Sequence, residues 1–563
     1  MYYKYTVEIP KDHVVRVKNK EAIYIYFEYD RAYDKDKKFN SAKRQCIGKQ
    51  SEKDCNLMYP NQNFNLHFPG SRELEKQEDS MRSCSLQIGS FIVIKRLIES
   101  LGIKEILESF LDETDTGLFL DFATYSIITE GNAAQYFPDY AYHHPLFTPN
   151  MRLYSDSKIC RLLQELPEEA KTLFLNKWNE KHDHRKRIYI SYDSTNKNSQ
   201  AGDLDIVEYG HPKDDKGLPI FGYSIAYDST NSIPLFYEQY PGSIIDMSQL
   251  EFMLSKAGSY GYRGATFILD RGYFCKNNIR ELESKNYHFI FMIKGLKPLV
   301  YDVIDESRGT FENSRDCYIR SYETYGTTLF RKLYADDEQE RYIHIYHSVT
   351  RKATESLTLE RELNKMAEAL DKARNTKYDF PQSFHNYFDL TYSKEGKLMT
   401  YSERKDIVEK SLSYCGYFCI VTSEKMTAKD ALEIYKSRDE NEKLFRADKS
   451  FLGNRSMRVY SNKSTETKIL IEFVALIIRC RLFTYLKEAF KNSTNKPNYA
   501  TVPAVLRELE KIEMVRNYDG IYRLNYAVTR KQKDILKCFG LDAEQVKEIS
   551  KIISKQLTTT EAN

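Results

Sequence analysis

Hydrophobic and polar positions between residues 187 and 293 predict a series of strands and helices that belong to one sheet. The first three strand-like stretches are rich in β-branched and aromatic residues, and the turn residues 228–231 separate the second from the third. These stretches cover residues 187–193, 219–227 and 233–237. Strands that follow one another in this way are typical of an antiparallel meander.

Two helical patterns then alternate with two further strand-like stretches. They cover residues 246–259, 265–270, 277–284 and 287–293. Strands that are connected through a helix run parallel to each other in the same sheet. The pattern therefore predicts an α/β fold with a mixed sheet of order β-β-β-α-β-α-β.

Acidic residues end two of these predicted strands. Asp193 closes the first strand, and Asp270 closes the fourth. Burying a carboxylate is costly unless it is paired or bound to a metal ion. Asp also commonly ends strands and caps helices, so either residue alone is weak evidence for a site. The order of the strands that carry them is the stronger indication.

A charged stretch near residue 440 predicts a helix with one polar face. Tyr435, Arg438, Glu442 and Lys449 are spaced by three, four and seven residues. At about 100° per residue, their side chains lie within roughly 60° of one another on a single helix. A guanidinium, an ammonium and a carboxylate on one face suit a surface that binds phosphate and a metal ion. Solvated, charged helix faces are also common, so spacing alone leaves both interpretations open.

The rest of the chain divides by pattern into flanking regions and an insertion. Residues 1–80 predict a small β-rich module, and residues 86–180 predict a largely helical region. The interval between Asp270 and Glu442 is far longer than a continuous sheet needs, so we expect an insertion over residues 296–425. Residues 426–490 would complete the core, and residues 491–563 would form a helical appendage with a polar tail.

Composition limits the classes of protein without selecting one. The 563 residues carry a formal net charge of +3, so any affinity for nucleic acid must come from local basic surface. Ten cysteines lack the spacing of a disulfide framework, and no signal-peptide pattern begins the chain, which predicts a cytoplasmic protein. The longest apolar run, residues 469–478, contains Glu472 and predicts a buried helix rather than a membrane span.

Other chemistries have little support in the sequence. His182 with His184, and Cys415 with Cys419, have zinc-ligand spacing, but no second pair completes either site. The chain has no Gly-x4-Gly-Lys-Ser/Thr phosphate loop, which argues against a self-contained ATPase. It also has no Gly-x-Ser-x-Gly elbow, so the usual signal of a serine hydrolase is missing.

The charged helix resembles that of a known family. Tyr435, Arg438, Glu442 and Lys449 match the Tyr-x2-Arg-x3-Glu-x6-Lys signature of the bacterial DDE transposases in the large insertion sequence four superfamily. The similarity extends from about residue 187 to about residue 482.

Both strand acids fit the same resemblance. Asp193 with the following Ser-Thr is similar to the first acid of the family, and Asp270 with the following Arg-Gly-Tyr is similar to the second. Glu442 is then the third acid. Pro212 and Ser243 depart from the residues that relatives commonly carry nearby.

The resemblance implies a ribonuclease H-like catalytic core over residues 187–295 and 426–490, interrupted by a mainly β insertion over residues 296–425. It also implies that the helical region over residues 86–180 recognises the DNA ends of the element. Two subunits would assemble as a homodimer on paired ends. The expected partners are the terminal inverted repeats and target DNA, in a bacterial cytoplasm beside the nucleoid, with no membrane.

The chemistry that the resemblance implies is metal-dependent cleavage and joining of DNA. Two divalent metal ions, Mg²⁺ or else Mn²⁺, would be held by Asp193, Asp270 and Glu442. Basic and aromatic residues near the cut would contact DNA, namely Tyr435, Arg438, Lys449 and Arg271. Two alternatives stay open: a metal-dependent nuclease without strand transfer, and a noncatalytic DNA-binding protein derived from a transposase.

Overall fold

The structure is a computed structural model, and the chain forms two compact units, Met1–Arg82 and Ser83–Asn563. His182 and His184, one of the two pairs with zinc-ligand spacing, lie outside the residues that the structure describes. The described residues are 6–19, 22–34, 39–52, 54–68, 82–181, 188–199, 204–210, 212–213, 217–244, 246–491, 500–517 and 521–561.

The first unit is built on an antiparallel sheet. Its strands are β1 (Val7–Glu8), β2 (Val14–Asn19), β3 (Ala22–Asp34), β4 (Phe39–Gln50) and β5 (Leu57–Pro60), and they pair in the order β1-β5-β4-β3-β2. Helix α1 (Gln62–His67) follows, and the Asn61 side chain caps it by accepting hydrogen bonds from two backbone N–H groups. Ile25, Ile47, Met58 and Phe64 form the core of this unit.

The strands of the second unit are β6 (Ser85–Gln87), β7 (Tyr189–Asn198), β8 (Ile220–Asp228), β9 (Ile233–Pro241), β10 (Thr266–Leu269), β11 (His288–Met292), β12 (Tyr318–Ile319), β13 (Thr324–Arg331), β14 (Arg341–His347), β15 (Phe388–Tyr392), β16 (Leu398–Glu403), β17 (Tyr417–Thr422), β18 (Glu513–Arg516) and β19 (Tyr522–Leu524). In the described part of the chain, nine of them form one central sheet, in the order β12-β13-β14-β17-β11-β10-β7-β8-β9. The remaining strands form the hairpin β15-β16 and the small sheet β19-β18-β6.

The central sheet is mixed, as the sequence predicts. Strands β7, β8 and β9 form an antiparallel meander, while β10 pairs parallel with both β7 and β11. The apolar stretches are buried because β8 and β10 are covered on both faces. The predicted α/β class and mixed sheet are therefore confirmed.

The helices of the second unit are α2 (Gly89–Leu101), α3 (Ile103–Glu108), α4 (Glu113–Thr129), α5 (Phe137–His143), α6 (Asp156–Glu165), α7 (Ala170–Glu180), α8 (Leu250–Ser259), α9 (Lys276–Ser284), α10 (Lys297–Ser307), α11 (Val349–Lys372), α12 (Gln382–Tyr387), α13 (Lys405–Ser413), α14 (Ala428–Lys436), α15 (Asp439–Arg446), α16 (Asn462–Ala489), α17 (Val502–Leu509), α18 (Arg530–Lys537) and α19 (Ala543–Glu561). The apolar run at residues 469–478 lies in α16, which is buried along most of its length and packs against α4, α6 and β9. No helix among the described residues is both long and apolar enough to span a bilayer.

The segment over residues 296–425 differs from the expected mainly β insertion. It contains more helix than strand, because α10, α11, α12 and α13 all lie within it. Its strands β12, β13, β14 and β17 extend the central sheet, and β17 pairs with both β14 and β11. Such pairing joins residues far apart in the chain, so local patterns do not reveal it.

The stretch from Tyr435 to Lys449 is not one straight helix. Helix α14 ends at Lys436 and α15 begins at Asp439, and backbone hydrogen bonds of the i to i+3 type join them, such as Asn441 N–H to the Arg438 carbonyl at 2.8 Å. Residues Ala447–Phe451 then form a π-helical turn. Both irregularities change the helical phase that a straight helix would give these side chains.

Candidate active site

The three predicted acids come together where the parallel pairing of β7 with β10 ends, and Asp193 lies within β7 rather than at its end, where the sequence predicts it. Asp193 lies on β7, and Asp270 directly follows β10. The parallel pairing of Tyr192 with Leu269, one residue before each acid, brings the two aspartates side by side. Glu442 projects from the first turn of α15, which contacts β7.

Arg438 joins the three acids because its guanidinium lies between them. Nη1 is 3.4 Å from Asp270 Oδ1 and 3.8 Å from Asp193 Oδ2, and Nη2 is 3.2 Å from Glu442 Oε1. Arg438 Nε is buried and makes no hydrogen bond within the described residues. Arg438 therefore faces all three carboxylates at once.

Solvent access increases from the first acid to the third. The side chains of Asp193, Asp270 and Glu442 are 15%, 35% and 61% exposed. Burial raises the pKa of Asp193 to about 6, although the nearby Lys213 ammonium and a hydrogen bond from the Ser194 N–H oppose that change. Among the three acids, Asp193 is therefore the most shielded from solvent and Glu442 the least.

The donor set matches the chemistry of a hard divalent cation. Three carboxylates provide the oxygen ligands that Mg²⁺ prefers. Within the described residues, no three His, Cys, Asp or Glu side chains stand in an arrangement that would hold an ion. The guanidinium of Arg438 lies between the acids, so this side chain must withdraw before they can share a cation.

The four predicted DNA contacts occupy different environments. Arg271 is exposed beside Asp270, and Lys449 is half-buried in the π-helical turn. Tyr435 is only 4% exposed, since its ring packs in a hydrophobic cluster with Ile268 and Ile290. Burial raises the pKa of the Tyr435 hydroxyl to about 12. The structure thus places Tyr435 in the core, below Arg438, rather than on a surface open to DNA.

Three further residues belong to the site, although the sequence does not predict a role for them. They are Lys213, Ser194 and Tyr273. Lys213 Nζ donates hydrogen bonds to the Ser194 carbonyl at 2.6 Å and to Ser194 Oγ at 3.0 Å. The Tyr273 hydroxyl donates to the same Oγ at 3.0 Å. In the sequence, Ser194 and Tyr273 are marked only by their positions, one residue after Asp193 and three residues after Asp270.

Comparison with known protein families agrees with this geometry. The sequence model of a family described as "Transposase DDE domain" matches residues 190–478, just over half of the chain. The chain belongs to the DDE transposases. The matched segment contains all three acids, Arg438 and the central strands that carry the site. No curated protein matches the chain in sequence.

Similar solved structures are distant from this transposase. A piggyBac transposase synaptic complex with hairpin DNA is 10% identical, with 75% of this chain and 70% of that chain covered and a TM-score of 0.33. A Mos1 transposase paired-end complex with the left transposon end is 14% identical, with 28% and 54% covered and a TM-score of 0.14. At these scores, neither likeness carries an argument about fold or function.

A second charged cluster lies further along the same strand of the transposase. Lys197 Nζ is 2.8 Å from Asp448 Oδ2 and 2.9 Å from Glu472 Oε2, and all three side chains are at most 2% exposed. The Asn454 amide donates to Asp448 Oδ1 at 3.0 Å, and the Tyr223 ring lies 4.4 Å from Lys197 Nζ. This cluster ties β7 to the π-helical turn and to α16.

The remaining zinc-spaced pair has a different environment from a metal site. Cys415 and Cys419 are both buried, and burial raises the pKa of the Cys419 thiol to about 12. A thiol must lose its proton to bind zinc, so this environment opposes metal binding.

Proposed function

We propose that the protein is a bacterial transposase of the insertion sequence four superfamily, which cleaves the ends of its element and joins them to target DNA. The observation that carries the proposal is the convergence of Asp193, Asp270 and Glu442 on Arg438, at 3.2 to 3.8 Å. Membership of the DDE transposases supports the reaction class. The order β9-β8-β7-β10-β11, with the aspartates on adjacent parallel strands, supports a ribonuclease H-like core.

The chemistry would proceed by two displacements at phosphorus. Two divalent cations, Mg²⁺ or Mn²⁺, held by Asp193, Asp270 and Glu442 would supply nucleophile activation and stabilisation of the leaving oxygen. In the first displacement, water adds to a phosphodiester at the element end, and the 3′-oxygen leaves as a hydroxyl. In the second, that 3′-hydroxyl adds to a target phosphodiester, whose own 3′-oxygen leaves.

Arg438 would change partners during this reaction. A guanidinium presents several N–H donors in one plane, which suits two oxygens of a phosphate. Arg438 would therefore move from the carboxylates to the phosphate at the cut. Arg271 and Lys449 would add positive charge beside the DNA, while the largely buried Asp193 would keep one carboxylate shielded from bulk water.

The remaining assignments concern partners and location. Residues 86–180 would bind the terminal inverted repeats, and two copies would form a homodimer on paired ends. The protein would act on DNA in the bacterial cytoplasm, at the nucleoid. The region over residues 296–425 would be an insertion between two parts of the catalytic core.

The test uses the purified full chain with Mg²⁺ and a DNA fragment that carries the inverted repeats flanking its own gene. Wild type is compared with Glu442→Gln and with Asp439→Asn. Both changes remove one carboxylate from the first turn of α15, but only Glu442 contacts Arg438. We expect cleavage and joining by wild type and Asp439→Asn, and neither by Glu442→Gln.

Other outcomes would select the alternatives. Cleavage by wild type without joining would indicate a metal-dependent nuclease. Binding of the repeats without cleavage would indicate a noncatalytic protein derived from a transposase. Full activity of Glu442→Gln would contradict the assignment of the third acid.

A further inference from the structure

A chain of hydrogen bonds links the two segments that carry the aspartates. Ser194 Oγ accepts from the Tyr273 hydroxyl and from Lys213 Nζ, both at 3.0 Å. Ser194 and Tyr273 are almost completely buried, so water does not compete freely for these bonds. Lys213 is an ammonium with no acceptor capacity, so the serine oxygens must be the acceptors.

Each end of this series of hydrogen bonds is fixed next to an acid. The Ser194 N–H donates to Asp193 Oδ1 at 2.8 Å. On the other side, the Tyr273 N–H donates to the Asp270 carbonyl at 2.9 Å, and the Tyr273 carbonyl accepts from Asn278 Nδ2 at 2.8 Å. A shift of Ser194 relative to Tyr273 would therefore change the separation of Asp193 and Asp270.

The ladder between β7 and β10 does not extend to the acids, although Asp193 is paired with Ile225 of β8 on the other side. The parallel pairing of β7 with β10 ends at Tyr192 and Leu269, and Asp270 then enters a 3-10 turn. Beyond that register, the bonds from Tyr273 and Lys213 to Ser194 take the place of the strand ladder. The Tyr273 ring also contacts the Tyr192 ring, with centroids 5.3 Å apart.

We propose that Tyr273 and Lys213 are positioning residues, which act through Ser194 to hold Asp193 and Asp270 at the separation that a shared divalent cation needs. This inference rests on the proposed function and adds to it the groups that set the cation affinity of the site. Residues that orient metal ligands through hydrogen bonds typically change metal affinity by about 10- to 100-fold when they are removed.

The test compares Tyr273→Phe with Tyr262→Phe in the full chain without DNA. Each change removes one buried tyrosine hydroxyl that donates a hydrogen bond, and the Tyr262 hydroxyl donates to Asn179 Oδ1 instead of to Ser194. Mn²⁺ binding is measured by calorimetry, and unfolding is measured in urea. We expect both variants to lose similar unfolding free energy, and only Tyr273→Phe to bind Mn²⁺ about tenfold more weakly.

A double variant tests whether Tyr273 acts through Ser194. In a Ser194→Ala background, Tyr273→Phe should weaken Mn²⁺ binding no further, because the shared contact is already lost. In cleavage assays, the Mg²⁺ concentration for half-maximal rate should rise by the same factor as the dissociation constant for Mn²⁺.

Contrary results would separate the two proposals. Equal Mn²⁺ affinity of Tyr273→Phe and Tyr262→Phe, with normal binding by wild type, would overturn the positioning role and leave the proposed function intact. Independent, additive effects of Ser194→Ala and Tyr273→Phe would also overturn it. Absence of both Mn²⁺ binding and DNA cleavage in wild type would contradict the proposed function itself.

Discussion

Strand β7 carries two clusters of oppositely charged side chains, centred four residues apart. The two clusters differ in their contact with solvent. Around Asp193, one arginine faces three acids at 3.2 to 3.8 Å, and Glu442 is 61% exposed. Around Lys197, one lysine contacts two acids at 2.8 and 2.9 Å, with all three side chains almost completely buried. Both clusters join β7 to the chain that follows α14.

The contrast shows what separates a binding site from a structural ion network. Close contacts around Lys197 offset the cost of taking its charge out of water, and they leave no access for a ligand. The contacts around Arg438 are longer, and Asp270 and Glu442 are 35% and 61% exposed there. That cluster retains charge and space with which to bind a further cation. Exposure and contact distance therefore indicate function better than the residue types do.

The largest expected effect is on the buried cluster. Lys197→Met should lower the unfolding free energy by about 3–5 kcal/mol, because Asp448 and Glu472 would remain buried without their counter-charge. Urea unfolding measures the change. The matched control is Lys487→Met, which removes an exposed lysine 2.7 Å from Glu440 and should cost less than about 1 kcal/mol. Equal losses in the two variants would show that the Lys197 cluster contributes no more to the unfolding free energy than an exposed ion pair does.

The second effect concerns activity rather than stability. Asp270→Asn should reduce end cleavage by roughly a thousandfold or more, since the site would lose one of its charged oxygen ligands. Its unfolding free energy should change by less than about 1 kcal/mol, because Asp270 is partly exposed and its ion pair with Arg438 spans 3.4 Å. Cleavage rates and urea unfolding on the same preparation measure both quantities. A stability loss as large as that of Lys197→Met would show that the two clusters contribute equally to the unfolding free energy.

The third effect depends on pH. Burial raises the pKa of Asp193 to about 6, whereas an unfolded aspartic acid titrates near about 3.9. The folded state therefore holds this proton more tightly, and the stability it contributes is complete below about pH 4 and lost as pH rises through about 6. Without divalent cations, Asp193→Asn should gain on the order of 2 kcal/mol relative to wild type between pH 4 and pH 7.

Urea unfolding at several pH values provides the measurement. Asp439→Asn is the control, since that carboxylate is exposed on α15. The pH-dependent gain should be larger for Asp193→Asn than for Asp439→Asn. Equal pH dependence in the two variants would contradict the raised pKa of Asp193.

The smallest effect is expected at Tyr435. Tyr435→Phe keeps the ring in its hydrophobic cluster and removes only a hydroxyl whose pKa burial raises to about 12. Affinity for end DNA, measured by fluorescence anisotropy, should change by less than about twofold, and unfolding free energy by less than about 1 kcal/mol. A tenfold weaker affinity would indicate that Tyr435 contacts DNA, as the sequence predicts.

Local periodicity was sufficient to predict the part of the fold that carries the aspartates. The alternation in β7, β8 and β9 and the helices before β10 and β11 are properties of short stretches, so they are visible without a structure. The two aspartates lie near each other because the parallel pairing of β7 with β10 ends one residue before each of them, although β7 itself continues past Asp193. Glu442 reaches the same place although the single straight helix assumed from its spacing is broken at Ser437 and Arg438.

Features that depend on contacts between distant residues were not predictable. Lys197 and Glu472 are each compatible with a surface position, and only the packing of α16 on β7 pairs them. The break at Ser437 and Arg438 and the π-helical turn are shifts in hydrogen-bond partners, which leave no mark in hydrophobic spacing. For this reason the predicted common face failed at Tyr435, whose ring points into the core.

The place of β17 in the central sheet sets the time at which the sheet can close during protein synthesis. β17 lies between β11 and β14, and more than a hundred residues separate β11 from β17 in the chain. At roughly 5 to 20 residues per second, a ribosome needs roughly 6 to 25 seconds to make that interval. The edge of β11 stays unpaired until then, and Glu442 is added later still. A nascent or truncated chain that ends before Glu442 therefore holds two of the three carboxylates that the proposed reaction requires.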